Sequence, residues 1–134
     1  MRTVFADTFY FQALLNPTDK AHDQAVAFTS GNAVRMLTTE WVLTELADGL
    51  ARSSRGRGEF LATLADLQTD ADATIVPCDH ALMGEGVHLY GQRSDKKWSL
   101  TDCISFLAMA KAGVTEALTA DHHFEQAGFL VLLK

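Results

Sequence analysis

Short apolar segments alternate with helical segments along this chain, and that alternation restricts its fold more than any other feature. Runs such as Thr3–Ala6 and Ala73–Val76 are typical of strands, whereas longer segments carry apolar residues at helical spacing. Parallel strands require crossover connections, which helices usually supply. Five short strands separated by helices therefore predict an α/β protein with a mainly parallel five-stranded sheet, covered by helices on both faces.

The expected ends of the helices and strands follow from capping residues, glycines and prolines. Thr18 or Asp19 should cap the second helix, Thr39 should open the third, and residues 53–58 should form a loop before the fourth. Strands are predicted at 3–6, 34–38, 73–76, 116–119 and 129–132. Helices are predicted at 9–15, 19–28, 39–52, 59–67, 79–92, 99–112 and 122–127.

The composition is that of a soluble globular protein. Hydrophobic residues make up 48% and charged residues 21% of the 134 residues, and no uncharged apolar run reaches the roughly 18 residues of a membrane span. We therefore predict one domain over residues 1–134, without a signal peptide and located in the cytoplasm. Cys78 and Cys103 lack the spacing of a metal or redox motif and are expected to be reduced packing residues.

Four acidic residues stand where a predicted strand ends or a predicted helix begins. Asp7 and Asp121 follow strands, Asp102 lies in the first turn of a helix, and Glu45 lies one turn into the helix after the second strand. In open α/β sheets the ligand site lies beyond the carboxyl ends of the strands. The four carboxylates should therefore share one crevice. Oxygen ligands of this kind suit Mg²⁺ or Mn²⁺, which points to metal-assisted phosphodiester cleavage.

Each acid also has a purely structural explanation. Asp102 stands three residues after Ser99, as in a capping box. Asp7 and Asp121 could be N-caps of the helices that follow them. Glu45 is the least easily explained in this way, because it is flanked by apolar residues, where a buried carboxylate without a partner would be costly. Capping and metal binding are compatible, because a cap at the carboxyl end of a strand also faces the crevice.

Four motifs, in chain order, carry a resemblance to a known family. Together they resemble the PIN domain, and in particular the small stand-alone PIN ribonucleases of the VapC type, over nearly the whole chain. The last motif closes with the pattern Thr-x-Asp-x-x-Phe. The motifs are Phe5-Ala6-Asp7-Thr8, residues 39–46 with Glu45, residues 99–106 with Asp102, and residues 118–124 with Asp121.

The resemblance implies a three-layer α/β/α sandwich and a ribonuclease that depends on Mg²⁺ or Mn²⁺. It also implies a toxin held by a small antitoxin, and a homodimer; a housekeeping nuclease and a non-catalytic interaction module are the alternatives. Phe9 departs from the family pattern, which often has a small polar residue there. The resemblance assigns the metal site to Asp7, Glu45, Asp102 and Asp121, and the supporting hydroxyls to Thr8, Ser99 and Thr119.

Two basic groups are candidate contacts to an RNA backbone, although the net charge of −6 argues at first against nucleic acid. With four of the seventeen acids assigned to a cation, thirteen remain against eleven Lys and Arg, so the remaining surface carries only about −2. Trp98 could stack on a base or pack in the core, and His122-His123 could supply a ligand or form a solvated turn. The candidate RNA contacts are Arg52, Arg55, Arg57, Lys96 and Lys97.

Overall fold

Five strands form one sheet in the computed structural model, which describes residues 1–134. The strand order is β3-β2-β1-β4-β5, and every neighbouring pair is parallel. The strands are β1 (Thr3–Ala6), β2 (Arg35–Thr39), β3 (Ala73–Val76), β4 (Glu116–Leu118) and β5 (Leu130–Val131).

Seven helices connect the strands and cover both faces of the sheet. The three-layer α/β/α fold and its parallel sheet, predicted from the alternating pattern and from the resemblance, are confirmed. No helix has the length and apolar composition that a membrane crossing requires. The helices are α1 (Thr8–Leu15), α2 (His22–Gly31), α3 (Glu40–Gly49), α4 (Ser54–Thr69), α5 (His80–Gln92), α6 (Leu100–Ala112) and α7 (His122–Gln126).

The order of the strands reverses beside β1, the central strand. From β1 the chain moves outward through β2 and β3, and it then returns to pair β4 with the other side of β1. Ala6 of β1 is in register with Leu118 of β4, so these two strands end side by side. In sheets of this kind a ligand binds at the point where the strand order reverses. Asp7 and Thr119 are the residues that follow the two strand ends.

A cluster of aromatic rings holds the last helix against the sheet. The ring of Phe106 lies 5.0 Å from that of Phe124 and 5.0 Å from that of Trp98, both in edge-to-face geometry. Trp98 is only 7% exposed, and its indole Nε1 donates to the side chain of Gln126. Trp98 is therefore a core residue, and the alternative that it stacks on a base is wrong.

Three local expectations are wrong. Neither Thr18 nor Asp19 caps α2, because Asp19 instead accepts from the backbone N–H of Ala21 and the helix begins only at His22. Cys103 is buried as expected, but Cys78 is exposed rather than packed. The segment 53–58 is not a loop, since α4 begins at its second residue.

Gly56 explains why helix α4 begins earlier than its sequence suggests. The hydroxyl of Ser53 accepts from the backbone N–H of Gly56, which caps the helix. A Cβ on Gly56 would lie 2.4 Å from the carbonyl oxygen of Leu50. The glycine that resembles a helix breaker is thus required by the close approach of the preceding turn.

Gly56→Ala is therefore expected to lower the free energy of unfolding by about 1–3 kcal/mol, because the neighbouring atom belongs to the backbone and cannot rotate away. Urea denaturation measures this change. Gly58→Ala is the matched control, since it lies in the same helix with open space around its Cβ position. It should be neutral or stabilising. Equal effects of the two substitutions would contradict the packing argument.

Candidate metal and active site

A polar pocket of about 360 Å³ lies at the carboxyl edge of the sheet. The structure brings all four candidate acids together there, although they are far apart in sequence. It also places two of the candidate hydroxyl residues and one of the candidate lysines in the wall. The lining residues are Asp7, Thr8, Phe9, Gln12, Glu45, Lys97, Ser99, Asp102, Asp121 and His123.

Asp7 is the buried carboxylate of the pocket, only 7% exposed. It occupies the N-cap position of α1, but its side chain makes no capping hydrogen bond. Its Oδ2 instead accepts from the buried hydroxyl of Thr119 at 3.0 Å. Capping does not explain this carboxylate, which faces a pocket shared with other acids.

Burial raises the pKa of Asp7 to about 7, and repulsion from Asp102 and Glu45 adds to this effect. Hydrogen bonds from the Thr119 hydroxyl and the Thr8 backbone act in the opposite direction but do not offset the loss of hydration. A bound cation would favour the ionised form of this group. The protein thus holds a carboxyl group whose charge costs free energy unless a positive partner is present.

Asp102 and Asp121 perform the capping roles that their sequence patterns suggest. Asp102 and Ser99 form a reciprocal capping box at the start of α6, with hydrogen bonds of 3.0 and 3.1 Å. Asp121 accepts from the backbone N–H of His123 at 2.9 Å. Burial, followed by repulsion from Asp121, raises the pKa of Asp102 even though hydrogen bonds from Ser99 and His123 lower it. Capping positions both carboxylates at the mouth of the pocket.

Glu45 is exposed, so the expectation that its apolar neighbours bury it is wrong. Those neighbours lie on the other faces of α3, where Leu46 is fully buried. The carboxylate of Glu45 accepts from the Thr8 hydroxyl at 2.5 Å. Thr8 therefore links Asp7 and Glu45, because it follows Asp7 in the chain and its hydroxyl donates to Glu45.

His123 is a pocket residue rather than part of a solvated turn. Its Nδ1 lies 3.2 Å from Asp102 Oδ2 and 3.4 Å from Asp121 Oδ1. His122 is 71% exposed and matches the solvated alternative more closely. One donor atom from each of Asp121, His122 and His123 lies within 4.8 Å of the other two, so this corner of the pocket also offers nitrogen donors.

Gln12 is a pocket residue that sequence reasoning missed. It lies four residues after Thr8 in α1, so the two side chains share one face of the helix. This spacing is the signal that could have identified it. Phe9, the departure from the family pattern, also lines the pocket.

The two basic groups lie in different places. Lys97 lines the acidic pocket, whereas none of the three candidate arginines does so. Arg55 pairs with Glu59 at 3.1 Å, and Arg57 donates to the carbonyl of Ala51. The three arginines lie around the start of α4 rather than in a loop, and two of them already have partners within the protein. Their contact with RNA remains a prediction.

The donor set fits the cation that the resemblance implies. Mg²⁺ and Mn²⁺ prefer oxygen ligands, and Mg²⁺ usually binds through one or two carboxylates while keeping several waters. Asp7 is buried and the side chain of Asp102 is 14% exposed, whereas the side chain of Asp121 is 32% exposed and Glu45 is exposed. The first two could hold a cation directly and the others through water.

The protein matches no family model, but it is similar to a characterised relative along most of its length. It is 28% identical over 127 residues to the 23S rRNA-specific endonuclease VapC20 of Mycobacterium tuberculosis, a match that covers 95% of each chain. The sequence resemblance to VapC-type proteins is thus confirmed.

Solved structures share the fold. The crystal structure of Mycobacterium tuberculosis VapC20, described as a Sarcin-Ricin loop cleaving toxin, matches with a TM-score of 0.84 and 24% identity over 95% of this chain and 96% of that one. FitAcB from Neisseria gonorrhoeae matches with a TM-score of 0.68 and 17% identity, over 98% of this chain and 96% of that one. The structure of VapBC2 from Rickettsia felis bound to a DNA fragment from their promoter matches with a TM-score of 0.66 and 12% identity. This match covers 98% of this chain and 97% of that one.

Proposed function

We propose that this chain, which has the fold of the VapC-type PIN-domain proteins, is a metal-dependent ribonuclease and the toxin of a toxin–antitoxin pair. The observation that carries the proposal is the convergence of four carboxylates in one pocket at the point where the strand order reverses. Similarity to a 23S rRNA-specific endonuclease supports RNA as the substrate and ribosomal RNA as the first kind to test. We also propose a cytoplasmic location, as expected for an enzyme that acts on cellular RNA.

The residues that would hold Mg²⁺ or Mn²⁺ are Asp7 and Asp102, with Glu45 and Asp121 binding through water or holding a second ion. When bound, the cation supplies Lewis-acid chemistry that offsets the negative charge developing on the reacting phosphate. Asp7 has a pKa of about 7, so it loses a proton when a cation binds. Affinity for the cation should therefore rise with pH up to about neutrality.

Other pocket residues orient these carboxylates and the substrate. The Thr119 hydroxyl fixes one oxygen of Asp7, and the Thr8 hydroxyl fixes one oxygen of Glu45. Lys97, on the rim, is placed to bind a phosphate of the RNA backbone.

The proposed antitoxin would cover this pocket. Acidic side chains at the mouth, such as Asp121, would pair well with an inserted Arg, whose planar guanidinium suits carboxylates. The cleft of about 370 Å³ between the end of α1 and the start of α4, with Leu15 and Leu50 in its wall, could receive an amphipathic segment of the same partner. The homodimer implied by the resemblance remains a prediction.

The test is incubation of the purified protein with a panel of cellular RNAs, including ribosomal RNA, in Mg²⁺, Mn²⁺ or EDTA. We expect cleavage with either cation and none in EDTA. Expression of the chain alone should slow growth, and co-expression with the adjacent reading frame should restore it. A protein that cuts no RNA and causes no growth defect would be a binding module. Cleavage without a growth defect would indicate a housekeeping nuclease.

A further inference from the structure

A second cleft, with a volume of about 560 Å³, adjoins the acidic pocket at the end of α5. Lys97 and Ser99 line both cavities, which are therefore adjacent and together are called the groove. The acidic half of this groove lies at the carboxyl edge of the sheet. The second half contains basic and aromatic side chains, among them Tyr90, Arg93 and Lys96.

Two lysines of the cleft have no acidic partner. Arg93 is neutralised by Asp95 through hydrogen bonds of 3.0 and 3.1 Å. Neither Lys96 nor Lys97 has a carboxylate within 4.0 Å, whereas Lys111 pairs with a glutamate at 3.0 Å. The cleft therefore offers two unpaired ammonium groups beside a pocket of negative charge. Polyanions with phosphates along one edge suit this arrangement.

Tyr90 is the exposed aromatic side chain of the cleft. It is 54% exposed, near the end of α5, and no aromatic ring packs on it. Trp98 is buried, and the guanidinium of Arg93 lies over its ring at 5.0 Å. Tyr90 is thus the aromatic side chain of the cleft that is most accessible to a ligand. An aromatic face beside unpaired lysines is typical of surfaces that bind single-stranded nucleic acid without reading its sequence.

We propose that this cleft binds the single-stranded nucleotide next to the phosphate that is cut. The base stacks on Tyr90, and the neighbouring phosphates contact Lys96 and Lys97. The position of the cut phosphate rests on the proposed function, since it places that phosphate in the acidic pocket, but binding in the cleft needs no cleavage. Lys97, shared by both cavities, guides the backbone from one to the other.

The experiment measures binding of a fluorescein-labelled single-stranded RNA in EDTA, with Asp7→Asn as the background so that no cleavage occurs. Tyr90→Ala should weaken binding roughly 5- to 100-fold, whereas Tyr90→Phe should retain it. Lys96→Gln and Lys97→Gln should each reduce the slope of log affinity against log salt by about 0.7. These side chains line the surface, so melting temperatures should not change. Should Tyr90→Ala destabilise the helix, Tyr90→Leu keeps a large apolar side chain but removes the aromatic ring, and it should weaken binding in the same way.

Two control substitutions match these variants. Val87→Ala removes another exposed side chain, 49% accessible, from the same helix, and Lys20→Gln removes an exposed lysine that lines neither cavity. Neither should alter binding. Unchanged affinity for Tyr90→Ala, or losses equal to those of the controls, would overturn the assignment. If the Tyr90 effect holds but the wild-type protein cleaves no RNA, the cleft stands and the ribonuclease proposal fails.

Discussion

Asp7→Asn is expected to lower RNA cleavage more than about 100-fold and, at the same time, to stabilise the metal-free protein. The substitution removes the buried charge that a cation would bind, which accounts for the loss of activity. Asn retains an oxygen that can accept from Thr119, so the local hydrogen bond survives. The stability gain follows because an ionised Asp7 is buried without a cationic partner.

The size and pH dependence of that gain follow from the pKa of Asp7. In the folded protein, burial raises the pKa of Asp7 from 3.8 to about 7. Between pH 3.8 and about 7 the folded state therefore binds more protons than the unfolded state. Stability is therefore full below about pH 4 and is lost as the pH rises through about 7, by up to about 4 kcal/mol. Asp7→Asn should remove this loss and flatten the profile above pH 4. The raised pKa of Asp102 adds a loss of the same sign.

Urea denaturation in EDTA from pH 4 to 8 measures the effect. Asp23→Asn, an exposed carboxylate on α2, is the control and should reproduce the wild-type profile. A variant at Asp7 that keeps wild-type turnover would refute its role in the site. A fall in metal-free stability at pH 8 would instead make the carboxylate structural.

Thr119→Val is expected to weaken Mn²⁺ binding about 10- to 100-fold without changing any acidic residue. The Thr119 hydroxyl is fully buried, donates to Asp7 Oδ2 at 3.0 Å and accepts from the backbone N–H of Asp121 at 3.1 Å. Valine has nearly the same shape and makes neither hydrogen bond. The pKa of Asp7 should rise further because its hydrogen bond from Thr119 lowers it. The loss of both bonds should also lower the free energy of unfolding by about 1–3 kcal/mol.

Isothermal titration with Mn²⁺ at pH 7 and NMR titration of the Asp7 carboxyl measure these two effects. Thr119→Ser keeps the hydroxyl and should restore most of the affinity. If Thr119→Val bound Mn²⁺ as tightly as the wild type, the threonine would serve only packing and the orientation of Asp7 would have another source.

The types of the elements, the parallel sheet and the position of each acid after a strand or near a helix start could all be predicted from the sequence. These features depend on local patterns: apolar periodicity, capping residues such as Ser99 and glycine at a helix end such as Gly113. The order of parallel strands then predicts which of these residues lie close together. Residues that follow neighbouring parallel strands must meet at one edge, so Asp7 and Asp121 could be placed near each other before any distance was known.

The three-dimensional fold is needed to tell which side chains are buried, which are exposed and which have partners. Glu45 lies among apolar residues in sequence but is exposed in space, and Trp98 is buried by rings from distant segments. Tyr90 is exposed, but nothing in the residues around it in the sequence distinguishes an exposed aromatic side chain from a buried one. Gly56 lies in the first turn of α4 without a clash because it lacks the Cβ that would meet the carbonyl oxygen of Leu50. Burial and partnership depend on contacts between residues far apart in the chain, and a local pattern does not contain them.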